Sequence, residues 1–508
     1  LQVSYAHGRG IMQQRELDRK NVIRDTSFFS GSVYISQAMF FIRGFLNAKI
    51  LGPELYGVWS FLNIILRYSV FAHLGSFNAM AREIPYENGK RSNKGMDRVR
   101  NVVFTFSLCT ISIFALGVII VAILLWKRLL LYEAVGLIVI AALAVSMALY
   151  EFCQTSLIGV KRFVLISKAN VLFPILSVLL TLLFVPRLKI YGVYIVALVI
   201  PILTVTYLYM KESFKLKLCF DLKEIYRLLK IGFPIMSSGF LQGTITNIAG
   251  IMTLSFLGKT NMGYYSVAAL ATNFLMYFPM SIHRSFEPHI YQRYGETHDI
   301  GSLKKYLFKP MLVMSLLFPV ALAFYYTGVT FFIRHFLSKY TVAIYPFSII
   351  LIARFFLAFS PTAVAIITVL NKQRFLVPVY LSGIAIAFVS GLVFINQGFG
   401  IVAVALGLLL SFFFVGTVIF IYSMKQYIKS PLTCIGYLVT MSIPLVYMIG
   451  VIFFNEIMIP VSVEILPDIF VLVMRLLTVA GFSIPLIYIA HRKTGILHDV
   501  AGFIRRKR

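Results

Sequence analysis

The stretch Leu51-Gly52-Pro53-Glu54-Leu55-Tyr56-Gly57-Val58-Trp59-Ser60 returns 206 positions later as Leu257-Gly258-Lys259-Thr260-Asn261-Met262-Gly263-Tyr264-Tyr265-Ser266. Both copies read L-G-x4-G-x-[W/Y]-S, and each joins two long apolar segments. At the same offset Ser32 falls on Ser238, Ser36 on Gln242, Gly44 on Gly250 and Asn47 on Thr253. Matching polar positions inside otherwise apolar segments mark a duplication rather than a chance echo. Two similar halves side by side in a membrane predict a transporter.

The composition agrees. Of 508 residues, 59% are hydrophobic and 13% charged, with a mean hydropathy of +0.86. A soluble domain carries about 25% charged residues, so the chain reads as a polytopic membrane protein. Its formal charge of +28 is spread over short loops. That points to membrane topology and excludes a nucleic-acid-binding role for want of soluble chain. No cleavable signal-peptide pattern is present, so the first apolar segment is expected to be retained. Met12 precedes a more ordinary cytosolic N-terminus, and residues 1–11 read as lying ahead of the native start. Cys109, Cys153, Cys219 and Cys434 show neither disulfide nor metal-ligand spacing.

A membrane helix needs about 20 mostly apolar residues. That ruler predicts fourteen spans, near 26–48, 57–81, 101–125, 129–152, 164–185, 190–210, 232–256, 263–286, 307–330, 342–369, 375–395, 400–424, 432–453 and 468–490. Twelve would follow if one pair were miscounted. With both termini in the cytosol, cytosolic segments hold 35 of the 47 Lys and Arg, external loops 8 and the spans 4. This asymmetry obeys the positive-inside rule. The expected fold is therefore an all-α polytopic membrane protein. Residues 1–25 form a cytosolic segment, 26–210 an N-lobe of six spans, and 232–424 a C-lobe of six. Residues 425–490 hold a C-terminal helix pair and 491–508 a basic cytosolic tail. Between the lobes, residues 211–231 carry Phe214, Leu218, Leu222, Ile225 and Leu229 among lysines, the pattern of an amphipathic helix at the inner membrane surface.

No hydrolase, nucleotide-binding or metal signature is present, and no cofactor is expected. What stands out is positive charge within apolar spans, at about 2.5 to 3.5 kcal/mol per centre on insertion scales. Arg67 and Arg354 fall near mid-span, Arg43 in the outer half of the first span, and Arg475 in the last pair. At 100° per residue Ser60, Asn63, Arg67 and Asn78 share one face. Ser32, Ser36, Arg43 and Asn47 share another, and Ser238, Gln242, Thr246 and Thr253 form the related stripe in the seventh span. Such stripes are better satisfied by a common wet cavity than by lipid. The candidate anion site is Arg67, Arg354 and Arg43, lined by Ser32, Ser36, Asn47, Ser60, Asn63, Ser238, Gln242 and Thr246. The competing reading is that each arginine snorkels or bonds a neighbouring helix's carbonyls. His73 lies off the Arg67 stripe, which favours an interhelical hydrogen bond. His283, Arg284 and Glu287 form a candidate gate against the alternative of a solvated helix end. Glu83, Glu133, Glu151 and Glu287 read as lying near span ends, so no carboxylate is expected at a span's centre.

Gly52-Pro53-Glu54-Leu55-Tyr56-Gly57-Val58-Trp59-Ser60 resembles the L-G-P-x-x-Y-G-x-[W/Y/F] segment after the first helix of bacterial polysaccharide-export flippases. These are the Wzx-type members of the multidrug/oligosaccharidyl-lipid/polysaccharide (MOP) superfamily. The resemblance implies two six-helix MATE-like lobes in a V around a central cavity, with two further C-terminal helices. It implies residence in the bacterial cytoplasmic (inner) membrane. The cargo it implies is an undecaprenyl-pyrophosphate-linked oligosaccharide, the repeat unit of an O-antigen, capsule or exopolysaccharide. The implied partners are that polyprenyl-pyrophosphate-linked glycan, membrane lipids, a polysaccharide polymerase and glycosyltransferases. A cationic, hydroxyl-rich cavity suits the pyrophosphate, while the polyprenyl tail stays in lipid; the lobes would rock between inward-open and outward-open states.

Three alternatives stand beside it. A multidrug cation antiporter of the same superfamily would place acidic residues in its cavity. A lipid II-type flippase shares the span number and the cationic cavity. A membrane glycan polymerase or ligase would need a substantial external loop, whereas the longest here runs only from about Asn455 to Pro467.

Overall fold

In the computed structural model, all fourteen expected spans fall on helices. The structure describes the backbone of all residues except 1, 91, 213, 215, 429, 461–464 and 495–508, and the side chains of the same residues less 2–27, 281, 282, 284–286, 288, 465, 466 and 494. The helices are α1 (Gln2–Ser69), α2 (Ser76–Gly89), α3 (Asn93–Leu124), α4 (Leu131–Gly159), α5 (Phe163–Leu188), α6 (Ile190–Glu212), α7 (Leu222–Met252) and α8 (Gly258–Leu275). They continue as α9 (Tyr277–Thr297), α10 (Lys304–Phe336), α11 (Ile344–Ala358), α12 (Ser360–Val369), α13 (Leu376–Asn396), α14 (Ile401–Met424), α15 (Pro431–Met458) and α16 (Ile465–Thr494). Among the described residues no strand occurs, and eleven helical runs are long and apolar enough to cross a membrane. Hydrocarbon offers no partner for backbone N–H and C=O groups, so a spanning chain must satisfy them within its own helix. The fold is an all-α polytopic membrane protein.

The duplicated stretch is a duplicated backbone. Gly52 has φ 76°, ψ 172° and breaks α1, while Gly258 at the matched position has φ 85°, ψ 178° and opens α8. A side chain at either would be strained, which fixes glycine there. The next span of each repeat is itself interrupted at matched places. Residues 70–75 form a turn between α1 and α2, and Met276 separates α8 from α9.

The chain forms two compact units. The N-terminal one comprises Leu1–Leu51 and Val58–Phe240. Its core is built from Met80, Ile84, Val102, Val103, Phe152, Leu157 and Ile166, where α2, α3, α4 and α5 meet. Below this core the expected amphipathic helix over 211–231 is not one element. Helix α6 ends at Glu212, residues 216–221 are not helical, and α7 begins at Leu222. The cause is side-chain competition for the backbone. Asn101 Oδ1 accepts from the Lys217 N–H and Thr105 Oγ1 from the Cys219 N–H, each at 2.9 Å, and Arg98 pairs with Asp221 at 2.5 Å. This leaves Leu218 and Phe220, alternate residues of the strap, exposed. A second tie joins Arg227 to Glu83 and Glu224, both at 2.7 Å.

The hydrogen bond from Arg98 holds the Asp221 carboxyl below the usual carboxylate range. A lowered folded pKa gives a contribution that is complete above the unfolded value and disappears as pH falls through the folded one. The protection of the Lys217 and Cys219 amides, as the ratio of intrinsic to observed exchange rate at each pH, is therefore expected to fall a few-fold on acidification. In Asp221→Asn the protection should already be low at neutral pH; protection unchanged by that variant would show that the ion pair does not hold the strap.

The C-terminal unit comprises Gly52–Gly57 and Leu241–Arg508. Phe318, Phe347, Phe355, Phe412 and Phe420 are fully buried within it. Its two C-terminal helices, α15 and α16, pack on α10 through Leu316, Val320, Ala323, Met448, Val451 and Val479.

Candidate functional site

On α1, Ser32 and Asn63 bond the preceding turn, whereas the buried Asn47 Oδ1 accepts no hydrogen bond among the described residues. Ser32, Ser36 and Asn47 are buried. The Ser32 hydroxyl donates to the Phe29 carbonyl at 2.7 Å, and the Asn63 amide donates to the Trp59 carbonyl at 2.8 Å. Bonds to the preceding turn make such residues tolerable at membrane depth. Arg43 is half-buried, its guanidinium 5.0 Å from the centre of the Phe40 ring, while Ser60 is half-buried and Arg67 exposed. Arg67 belongs to the last turn of α1, immediately before the turn at 70–75. The partial negative charge of a helix C-terminus favours a cation there. The interruption of this span thus explains how an arginine is accommodated about halfway along it.

Three further expected residues lie on α7, Ser238 in this unit and Gln242 and Thr246 in the C-terminal one. The Ser238 hydroxyl donates to the Ile235 carbonyl at 2.9 Å. In the C-terminal unit Gln242 is exposed, and half-buried Thr246 lends its carbonyl to the Tyr265 hydroxyl at 3.3 Å. Arg354 is 7% exposed, donates to Asn273 Oδ1, and lies 5.3 Å from the Phe412 ring centre. Its charge is engaged by α8 and α14 within the unit. Of the candidate gate, His283 and Glu287 stand 3.5 Å apart on α9; the Arg284 side chain lies outside the described residues.

Two charged assemblies were not found from the sequence. The first surrounds Glu151, which stays in the C-terminal third of its helix, off the centre of the span. Helix α4 continues to Gly159, well beyond the apolar run that ended the expected span, so Glu151 is eight residues inside it. At 1.5 Å per residue that is about 12 Å from the end. Glu151 lines a pocket of about 240 Å³ with Ser69, His73, Ser107, Tyr150 and Gln154. The Gln154 amide donates to the Tyr150 hydroxyl and that hydroxyl to Asn170 Oδ1, both at 3.2 Å. His73 Nδ1 accepts the Gly75 N–H at 3.0 Å, within one turn of chain rather than between helices. Helical continuity past a polar stretch was the missing signal, and hydropathy alone does not report it.

The second assembly ties α10, α15 and α16. Arg475, 5% exposed, donates to Glu456 at 3.0 Å and to the Ile459 carbonyl at 2.6 and 3.1 Å. Arg334 approaches Glu456 at 3.8 Å, and buried His335 meets Asp468 at 2.5 Å. This places Arg475 in a structural ion-pair network. Its acidic partner, Glu456, had been read as external loop.

Comparison with known proteins follows this geometry. Residues 22–292 match the family described as polysaccharide biosynthesis protein. Among solved structures, an inward-facing multidrug resistance MATE family transporter of the MOP superfamily superposes with TM-score 0.65 at 13% identity, over 77% of this chain and 94% of that one. A Vibrio cholerae MATE transporter variant gives 0.57 at 15%, over 81% and 97%. A MOP superfamily transporter from Pyrococcus furiosus gives 0.53 at 15%, over 79% and 95%. No curated protein matches the chain in sequence. At these identities the structural likeness establishes the fold alone.

Proposed function

The chain belongs to the polysaccharide biosynthesis protein family and has the fold of MATE/MOP transporters, and on that premise we propose that it flips a polyprenyl-pyrophosphate-linked oligosaccharide across the bacterial cytoplasmic membrane by alternating access. The observation that carries this reading is Arg67, an exposed guanidinium at the break of a discontinuous span. A cation so placed within hydrocarbon length needs water or an anion beside it. Pyrophosphate suits it, because a planar fork of donors binds two phosphate oxygens at once. Arg43 supplies a second guanidinium in the same unit. The hydroxyls and amides of the stripes offer donors and acceptors to sugar. In this reading both termini are cytosolic, and glycosyltransferases and a polymerase act before and after translocation. The protein itself makes and breaks no covalent bond.

The test is the sidedness of labelled lipid-linked oligosaccharide in cells lacking the gene and complemented with variants. Arg67→Glu should lower appearance at the outer leaflet at least about tenfold, equivalent to ~1.4 kcal/mol, with the protein still inserted. Arg67→Lys should retain part of the activity, since it keeps the charge and loses the fork. Full export by Arg67→Glu would remove this residue from the site. Undisturbed translocation in the deletion strain would overturn the flippase reading itself.

A further inference from the structure

We propose that the end of the N-terminal unit opposite the strap binds the headgroups of anionic phospholipids, whatever the cargo is. Thr105, which holds the strap, and Leu124, where α3 ends, are about 28 Å apart along the helix at 1.5 Å per residue. That is close to the roughly 30 Å of a hydrocarbon core, so the turn at 125–130 meets the other surface of the membrane. At the same end α5 passes into α6 at Lys189. The Tyr194 hydroxyl on α6 donates to the Tyr132 carbonyl on α4 at 2.8 Å, which sets the two turns side by side.

The two turns carry four cations, Lys127 and Arg128 on the first and Arg187 and Lys189 on the second, all exposed. Glu133 is the one acidic residue in 104–150 and 163–211 together. Its carboxylate accepts the Leu130 N–H at 3.1 Å as the cap of α4. Among the described residues none of the four cations forms an ion pair, and Arg187 donates to the Leu183 carbonyl of its own helix at 3.4 Å. The strap end is built the other way, with Arg98 on Asp221, Arg100 on Asp97, Arg162 on Glu212 and Arg227 on Glu83. In the orientation proposed above the two turns are external. Short external loops ordinarily avoid lysine and arginine, so an uncompensated cluster there calls for an anion from outside the chain.

The apolar surroundings select the occupant. Trp126 is 47% exposed and Leu124 76%, and Leu130, Leu131, Leu188 and Tyr191 are exposed with them. A soluble acidic partner would leave most of this surface in water. A bilayer takes all of it: the indole at headgroup level, the leucines among acyl chains, and the long basic side chains reaching back to phosphates. The Arg128 and Leu129 N–H groups both donate to the Leu125 carbonyl, at 2.8 and 3.0 Å, so the first turn holds its basic and apolar side chains in one fixed arrangement. Cations spread over two turns suit several singly charged phosphodiesters, whereas one pyrophosphate is best held by donors that converge.

The chain has two tryptophans, and Trp59 is 7% exposed; Trp59→Phe therefore leaves Trp126 as the fluorescent reporter at this surface. The full-length variant is reconstituted in phosphatidylcholine bilayers holding a minor share of brominated phosphatidylglycerol or brominated phosphatidylcholine, and quenching of Trp126 is compared. The phosphatidylglycerol should associate at least about threefold more strongly. That preference should shrink between ~0.1 and ~1 M salt, as the Debye length falls from about 10 to about 3 Å. Lys127→Gln, Arg128→Gln, Arg187→Gln and Lys189→Asn combined should abolish it, asparagine tolerating the positive φ at 189. Either turn's pair alone should weaken it, and Lys217→Gln with Lys223→Gln at the strap end should leave it intact. If Trp59→Phe fails to fold, Trp126→Phe supplies the Trp59 background to subtract. Equal quenching by the two brominated lipids overturns the proposal, as does a preference untouched by the four substitutions. A preference lost equally in the strap variant overturns it too, since net charge alone would then account for it. Displacement of the brominated phosphatidylglycerol by equimolar polyprenyl pyrophosphate assigns the surface to a pyrophosphate lipid and overturns the phospholipid.

Discussion

Gly263→Ala is expected to destabilise the protein by about 3 kcal/mol, the upper part of the range for overpacking a closely fitted interior. A Cβ at Gly263 would collide with the Pro53 carbonyl oxygen, and one at Gly57 with the Lys259 carbonyl oxygen. These are the second glycines of the two repeats, and within the C-terminal unit each receives the backbone at the start of the other copy. The obstacle is main chain in helical turns, so no side-chain rotation can relieve it. Thermal unfolding of the detergent-solubilised protein should show the loss for either single variant. Gly57→Ala and Gly263→Ala combined should cost less than their sum, because the helices separated by the first methyl accommodate the second. Gly239→Ala is the control: no atom lies within 4 Å of its Cβ position, and alanine favours helix by about 1 kcal/mol over glycine. Additive losses, or a control as damaged as Gly263→Ala, would show that the glycine contact is not what joins the two motifs.

Arg475→Leu should cost about 3 kcal/mol or more, the range for removing one partner of a buried ion pair. The loss leaves Glu456 facing only the longer approach of Arg334, and deprives the Ile459 carbonyl of both guanidinium bonds. Asn455 also donates to the Arg475 carbonyl at 3.3 Å, so the disturbance reaches both C-terminal helices. The expected consequence is loosening of α15 and α16 from α10, seen as faster proteolysis in the connection at residues 425–430. Arg475→Lys should recover part of the stability, since an ammonium restores the charge without spanning Glu456 and Ile459 together. An Arg475→Leu protein as protected as the wild type would mean that apolar packing through Val320, Met448 and Val479 suffices to dock the pair.

The positions of the spans, the doubled motif and the all-α class were legible in the chain itself. Each follows from a local quantity: the length of an apolar run, the spacing of glycines, the side on which lysines and arginines accumulate. The glycine backbone at Gly52 and Gly258 was implied by the repeat, although its left-handed φ was not. The candidate site was legible only as a set of residue types. Arg67, Arg43 and Arg354 look alike as charges in apolar runs, yet one is exposed, one lies half-buried over Phe40, and one is buried against Asn273, 81 positions away.

The same division holds for the acids. Glu151 and Glu456 were assigned to a span end and a loop because hydropathy declines around them. Tertiary packing put Glu151 in a pocket with His73 from another helix boundary, and Glu456 against Arg475. Membrane insertion depends on the summed transfer of neighbouring residues, so the sequence by itself determined what spans and where the chain repeats. The state of a charge depends on counter-ions and water brought together from distant positions. Only the tertiary structure decided which arginine is exposed and which is bonded to an amide, and which carboxylate lines a pocket and which meets a cation.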